Sequence, residues 1–117
     1  MANASLDEES LKVAIAKARE AAAIANAVEP RAESAYYDPS SDRIVINLKS
    51  GATFSFPPAL AQGLAGASPE DLAEVEVTPS GDGLHWEKLD ADFSVPALLA
   101  GVFGTAAWMA QLKLRVG

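Results

Sequence analysis

"RIVINLKSGATFSFPP", residues 43–58, can fold back on itself in two registers, and the choice decides which side chains form a core. A two-residue turn at Ser50-Gly51 sets Phe54 opposite Asn47 and leaves Ile46 and Leu48 facing serine and threonine. A three-residue loop, Lys49-Ser50-Gly51, puts glycine at the left-handed bulge position instead. It sets Ile46 opposite Phe54 and Ile44 opposite Phe56. Register follows the hydrophobic pattern, because a one-residue slip turns every side chain to the other face. The three-residue loop is therefore predicted. Its apolar face is Ile44, Ile46, Leu48, Phe54 and Phe56, which needs helices or a second sheet over it.

Upstream, "AESAYYDPSSD" reads as a further strand and a turn, with Pro39 presetting the turn's backbone angle. Before it, "SLDEESLKVAIAKAREAAAIANAVEP" reads as one helix. Ser5 and Glu8 have capping-box spacing, and Asp7, Glu8 and Glu9 fall where the helix dipole favours acids. Pro30 stops it. Leu11, Ile15, Ala18, Ala22 and Ala25 share one face, mostly alanine, which approaches another surface closely but buries little area of its own. Such a helix needs something to pack on. The sheet already has Leu98, Leu99, Val102 and Phe103 to cover it, so the face is expected to meet a second copy and form a homodimer.

Downstream, Pro57-Pro58 end the hairpin, and "ALAQGLAG" is a short helical or irregular connector. "SPEDL" starts a helix, with Ser68 as N-cap and Pro69 in the first turn. "EVEVTP" and "GLHWEKL" read as strands joined by the "SGDG" turn. "SVPALLAGVFG" is a helix capped by Ser94 and ended by Gly101 or Gly104, and "TAAWMAQLKLRVG" is a last helix. The long N-terminal helix therefore precedes a run of strands and shorter helices. Residues 1–30 are expected to form that N-terminal helix, and 31–117 a domain of strands and helices with a C-terminal helix.

The 117 residues suit one modest domain, and half of them are hydrophobic, as a folded protein requires. No cysteine is present, which excludes disulfides, thiolate metal sites and cysteine nucleophiles. The N-terminal stretch has neither a basic region nor an apolar one, so no secretory signal is read, and no apolar run reaches the roughly 20 residues of a membrane span. A cytoplasmic protein with no membrane association is expected. The net charge is -7, and all of the excess lies between Glu70 and Asp92, where eight acids meet a single base, Lys88. Such a chain repels phosphate backbones, which argues against nucleic-acid binding. It suits a basic protein partner, with Glu74, Glu76, Asp82 and Glu87 as candidate contact residues. The plainer reading is that the charge keeps the domain dispersed in water.

Chemistry-bearing residues gather in "LHWEKLDADFSVPALLAG", residues 84–101. In a strand, Leu84 and Trp86 point to one face and His85 and Glu87 to the other. Leu84 and Trp86 read as core. His85 and Glu87 are two metal ligands at most, whereas zinc takes about three or four, and no second histidine exists. Glu87, Asp90 and Asp92 raise acid–base catalysis, but carboxylates this close to a helix start also have a structural task. Asp92 and Ser94 are placed to accept orphan backbone N–H groups, and Asp90 to organise the turn between strand and helix. No nucleophile elbow and no glycine-rich phosphate loop is present. Neither an enzyme nor a cofactor is expected, and no metal.

This stretch resembles a bacterial family, the domain of unknown function 2442, which carries an apolar residue, tryptophan, "LD.D.S" and an apolar helix with glycine. Leu48 to Pro57, matching "L.SG..FSFP", and the connector ending in the strand Glu74 to Thr78 resemble it too. The resemblance covers Arg31 to Phe103. It implies a small α+β domain with an antiparallel sheet packed against helices, and the family has no established catalytic residues to carry over. Some relatives continue into a helix-turn-helix domain, and others lie beside genes for small toxins and are proposed antitoxins. The expected function is thus a non-enzymatic protein-interaction module, antitoxin-like towards a small basic protein. The rival readings are a DNA-binding regulator and a small-ligand or metal-binding domain using His85 and nearby carboxylates.

Overall fold

The computed structural model describes residues 8–116, and their side chains apart from those of 21–28, 115 and 116. Ser5 and Asp7 lie outside the described residues, as do the side chains of Ala22, Ala25 and Arg115. The elements run α1 (Glu8–Val28), β1 (Ala32–Asp38), β2 (Arg43–Leu48), β3 (Thr53–Phe56), α2 (Pro69–Leu72), β4 (Glu76–Val77), β5 (Gly83–Trp86), β6 (Ala91–Ser94), α3 (Val95–Leu99) and α4 (Ala106–Val116). The strands make two antiparallel three-stranded sheets, β1-β2-β3 and β4-β5-β6, so the fold is α+β.

The hairpin adopts the three-residue loop. Ile46 faces Phe54, Ile44 faces Phe56, and Leu48 N–H donates to the Ala52 carbonyl at 2.8 Å. Gly51 sits at φ +99°, where a Cβ is costly. On the other side of β2, the Asp38 carboxylate closes the Pro39 turn. It accepts from the Ser40 N–H and from the hydroxyls of Ser40 and Ser41, and these bonds hold it below the usual aspartate range.

The two sheets share one core. Ile44, Ile46 and Phe56 from the first meet Leu84, Trp86 and Ala91 from the second, with Leu64, Leu72, Val95 and Leu98 filling between. A backbone bond stitches the sheets at one end, where Ala32 N–H donates to the Gly81 carbonyl at 2.6 Å. Here glycine is obligatory. A Cβ on Gly81 would stand 2.6 Å from the Ala32 carbonyl oxygen.

Caps end the helices as their sequences demand. Ser68 Oγ accepts from Asp71 N–H, and Ser94 Oγ from Ala97 N–H. Gly101, at φ +88°, stops α3: its N–H returns to Leu98 and that of Val102 to Ala97, the paired bonds of a Schellman end. Gly101, not Gly104, is therefore the stop, and the helix is a single short turn and a half. Val102 turns outward past that stop and is 46% exposed, so only Leu98, Leu99 and Phe103 pack on the core, a correction to the expected cover. Helix α4 is packed through Trp108, whose indole N–H donates to the Leu60 carbonyl at 2.7 Å.

The expected turn from strand directly into helix after Trp86 is also corrected. Residues 87–90 turn instead into another strand, β6, which pairs Leu84 with Phe93 and Trp86 with Ala91. Four residues, with alanine, aspartate and serine among them, carry little strand propensity of their own, and β5 supplies the pairing that fixes them.

Trp86 is fully buried, its indole N–H donates to the Leu72 carbonyl at 3.0 Å, and its ring meets Phe93 edge-on at 5.8 Å. Trp86→Ala is predicted to cost roughly 3–5 kcal/mol, as core aromatics do on deletion, against a total stability of about 5–15 kcal/mol for such domains. Urea unfolding of the variant checks this. A midpoint close to the parent's would contradict it.

Candidate functional site, the outward face of the second sheet

Alternation along β5 sends Leu84 and Trp86 into the core and His85 and Glu87 out. The pairings then lay Glu76, His85 and Asp92 in one row across the three strands. His85 Nδ1 lies 2.6 Å from Asp92 Oδ1, and Nε2 lies 2.9 Å from Glu87 Oε1. An ionised carboxylate only accepts, so both ring nitrogens must donate, and the ring is an imidazolium. The bonds to Glu87 and then Asp92 raise its pKa from the ordinary 6.5 to about 9, against a smaller opposing effect of desolvation.

That arrangement bears on what the cluster can do chemically. An imidazole engaged at both nitrogens has no lone pair for abstracting a proton or binding a metal. The two carboxylates lie on opposite edges of the ring and do not converge on a point. Among the described residues, no group of three His, Asp or Glu side chains could hold a metal ion.

The other candidate residues are distributed around this row. Glu74, just before β4, pairs with Lys88 at 3.2 Å, both well exposed. Asp82 is turned into the β4–β5 loop, where it accepts from Ser80 Oγ at 2.6 Å and Thr78 Oγ1 at 2.9 Å and is held below the usual aspartate range. Glu76 and Glu87 are exposed on the outward face. Asp90, at φ +49°, closes the turn between β5 and β6, its N–H on the Glu87 carbonyl at 3.2 Å. Asp92 binds His85 instead of capping α3, a task left to Ser94 alone. The sequence reading missed the Asp92–His85 contact because it missed β6. Alternation of Ala91 and Phe93 with Asp92 and Ser94 was the available signal.

Two small antiparallel sheets around a single core, with one sheet face dressed in carboxylates, define a small α+β domain. The chain belongs to the family described as protein of unknown function (DUF2442), whose model matches residues 32–104. The match begins at β1 and ends before α4, so α1 and α4 flank it. A crystal structure of a protein of unknown function from Rhodospirillum rubrum is similar, at 59% identity and TM-score 0.67, over 69% of this chain and 98% of that one. So is a solution structure of an uncharacterised protein from Chromobacterium violaceum, at 32% identity and TM-score 0.66, over 94% of this chain and 95% of that one. Among curated proteins, none matches the chain.

A group whose folded pKa is raised lends stability that is complete below its unfolded value and lost as pH rises through the folded one. Here that window opens at 6.5 and closes near 9. Since His85 is the sole histidine, an NMR titration follows it without ambiguity. Its midpoint is predicted well above 6.5, and Glu87→Gln or Asp92→Asn should each bring it down. A parent midpoint at or below 6.5 would contradict the paired imidazolium.

Proposed function

We propose that this domain is a non-enzymatic interaction module, antitoxin-like, that takes a small basic protein on the acidic surface of its second sheet in a bacterial cytoplasm. One observation carries the reading: the sheet's outward face gathers Glu76, Glu87 and Asp92, with Glu74 beside it, while its inner face sends Leu84, Trp86 and Ala91 into the core. The closed His85 cluster supports a binding role over a catalytic one, since its ring has no free nitrogen. The acidic face likewise weighs against the DNA-binding alternative. No described helix is long and apolar enough to cross a membrane.

The test is co-expression with each small basic protein encoded by an adjacent gene, followed by co-purification. A complex is expected, and Glu74→Gln with Glu76→Gln and Glu87→Gln should weaken it and flatten its salt dependence. A domain that takes no such partner, or a complex indifferent to these changes, would contradict the proposal.

Self-association through α1 belongs to the same reading. Its side chains from Glu8 to Glu20 are all exposed, among them Leu11 at 53% and Ile15 at 42%, with Ala18 on the same face. A second copy would cover that face by two-fold pairing, each helix on the same patch of its mate, with residues 1–30 an appendage to the domain of 31–117. Light scattering is expected to give a dimer for the full chain. A monomer at high micromolar concentration would refute it.

A further inference from the structure

We propose that the free edge of β6 is a docking site for an extended, basic segment of the protein partner, which adds to the second sheet as a further strand. The proposal rests on the acidic-surface reading above and says how the partner is held.

The backbone directions follow from the bonds around Gly83. Thr78 N–H donates to the Gly83 carbonyl at 3.0 Å, so the peptide groups of Gly83 face β4. Along an antiparallel strand these groups alternate sides. Those of Leu84 and Trp86 therefore face β6, where they meet Phe93 and Ala91. The N–H and C=O of Asp92 and the N–H of Ser94 are left pointing away from β5, over a groove of about 550 Å³. Gln62, Gly63, Val102 and Thr105 line its other side. That side is firm, because Gln62 N–H donates to the Phe103 carbonyl and the Gln62 side chain accepts from Thr105 N–H.

Other strand edges are partly occupied or short. On β1, Ala32 N–H is already bonded to Gly81. On β3, the outward carbonyl of Ser55 is taken by the Arg43 guanidinium at 3.2 Å, and Pro57 follows at once. Strand β4 has only two residues. The edge of β6 combines outward peptide groups with an adjoining groove.

The chemistry of the occupant follows from the two faces of an added strand. A residue set opposite Asp92 shares its face and extends the row Glu76–His85–Asp92, with Asp90 nearby, so a lysine or arginine fits there. A residue opposite Phe93 turns to the other face, beside Val102 and Ala97, and should be apolar. The preferred segment alternates basic and aliphatic residues. Main-chain bonds hold it, and the alternate side chains select it.

The experiment is an NMR titration of the labelled full chain at low salt with an end-blocked hexapeptide of alternating lysine and valine. Two companions accompany it: the glutamate–valine peptide, and the lysine–valine peptide N-methylated on alternate residues along its bonding edge. Shifts are expected at the amides of Asp92, Ser94, Gln62, Val102 and Thr105. Both companions should abolish them, and Asp90→Asn should weaken binding roughly two- to fivefold, the worth of one exposed charge contact. Asparagine tolerates the left-handed backbone of position 90, so that variant keeps its turn. Shifts confined to Glu74–Glu87 and unaltered by N-methylation would overturn the edge site while leaving the acidic-surface reading standing. Absence of shifts with every peptide would overturn both.

Discussion

The indole of Trp86 is held at three points: its N–H on the Leu72 carbonyl, its ring perpendicular to that of Phe93, and its body in the core that both sheets share. A buried indole N–H without an acceptor would cost about 1–3 kcal/mol, and the α2 connector is positioned to supply that acceptor. Several other features follow from this anchorage. It draws the connector onto the second sheet, and it sets which face of β5 is interior. Phe93 then fixes β6, and the turn of Ser94 into α3 brings Leu98 and Val95 over the core. The first sheet joins through Ile44, Ile46 and Phe56, and through the Ala32–Gly81 bond at its margin.

Once Trp86 points inward, period-two geometry must send His85 and Glu87 outward. Carboxylates then crowd one small sheet face, and like charges on facing strands repel. The His85 imidazolium answers that repulsion by bridging Glu87 and Asp92. A single cation thus allows acidic side chains to stand side by side on a short sheet. The same bonds that make the face tolerable engage both nitrogens of the imidazolium.

Much of this was legible in the sequence because certain residues admit one placement. The hairpin register followed from matching Ile44 and Ile46 to Phe56 and Phe54. Ser68 and Ser94 announced their helices as caps, and Trp86 was too large and apolar to be anywhere but inside. What was not legible depended on partners distant in the chain. Strand β6 has only four residues, too few to declare itself, and its pairing comes from β5. Without β6, Asp92 looked like a cap for α3, and its meeting with His85 seven residues away was invisible. Gly81 looked like any turn glycine, although its carbonyl receives Ala32 from the far sheet. Val102 shared the apolar character of its neighbours, but the Schellman end at Gly101 rotated it to the surface.

Hydrogen exchange of the two tryptophan indole protons tests most directly whether the fold hangs on Trp86. The Trp86 indole N–H is bonded in the core, whereas that of Trp108 is bonded to Leu60 in a partly buried position on α4. The Trp86 proton should exchange only through global unfolding, with a protection that matches the unfolding free energy from urea. The Trp108 proton should exchange faster, by local opening of α4. A Trp86 proton that exchanges as fast as that of Trp108, in a protein still folded by its amide protection, would contradict the account.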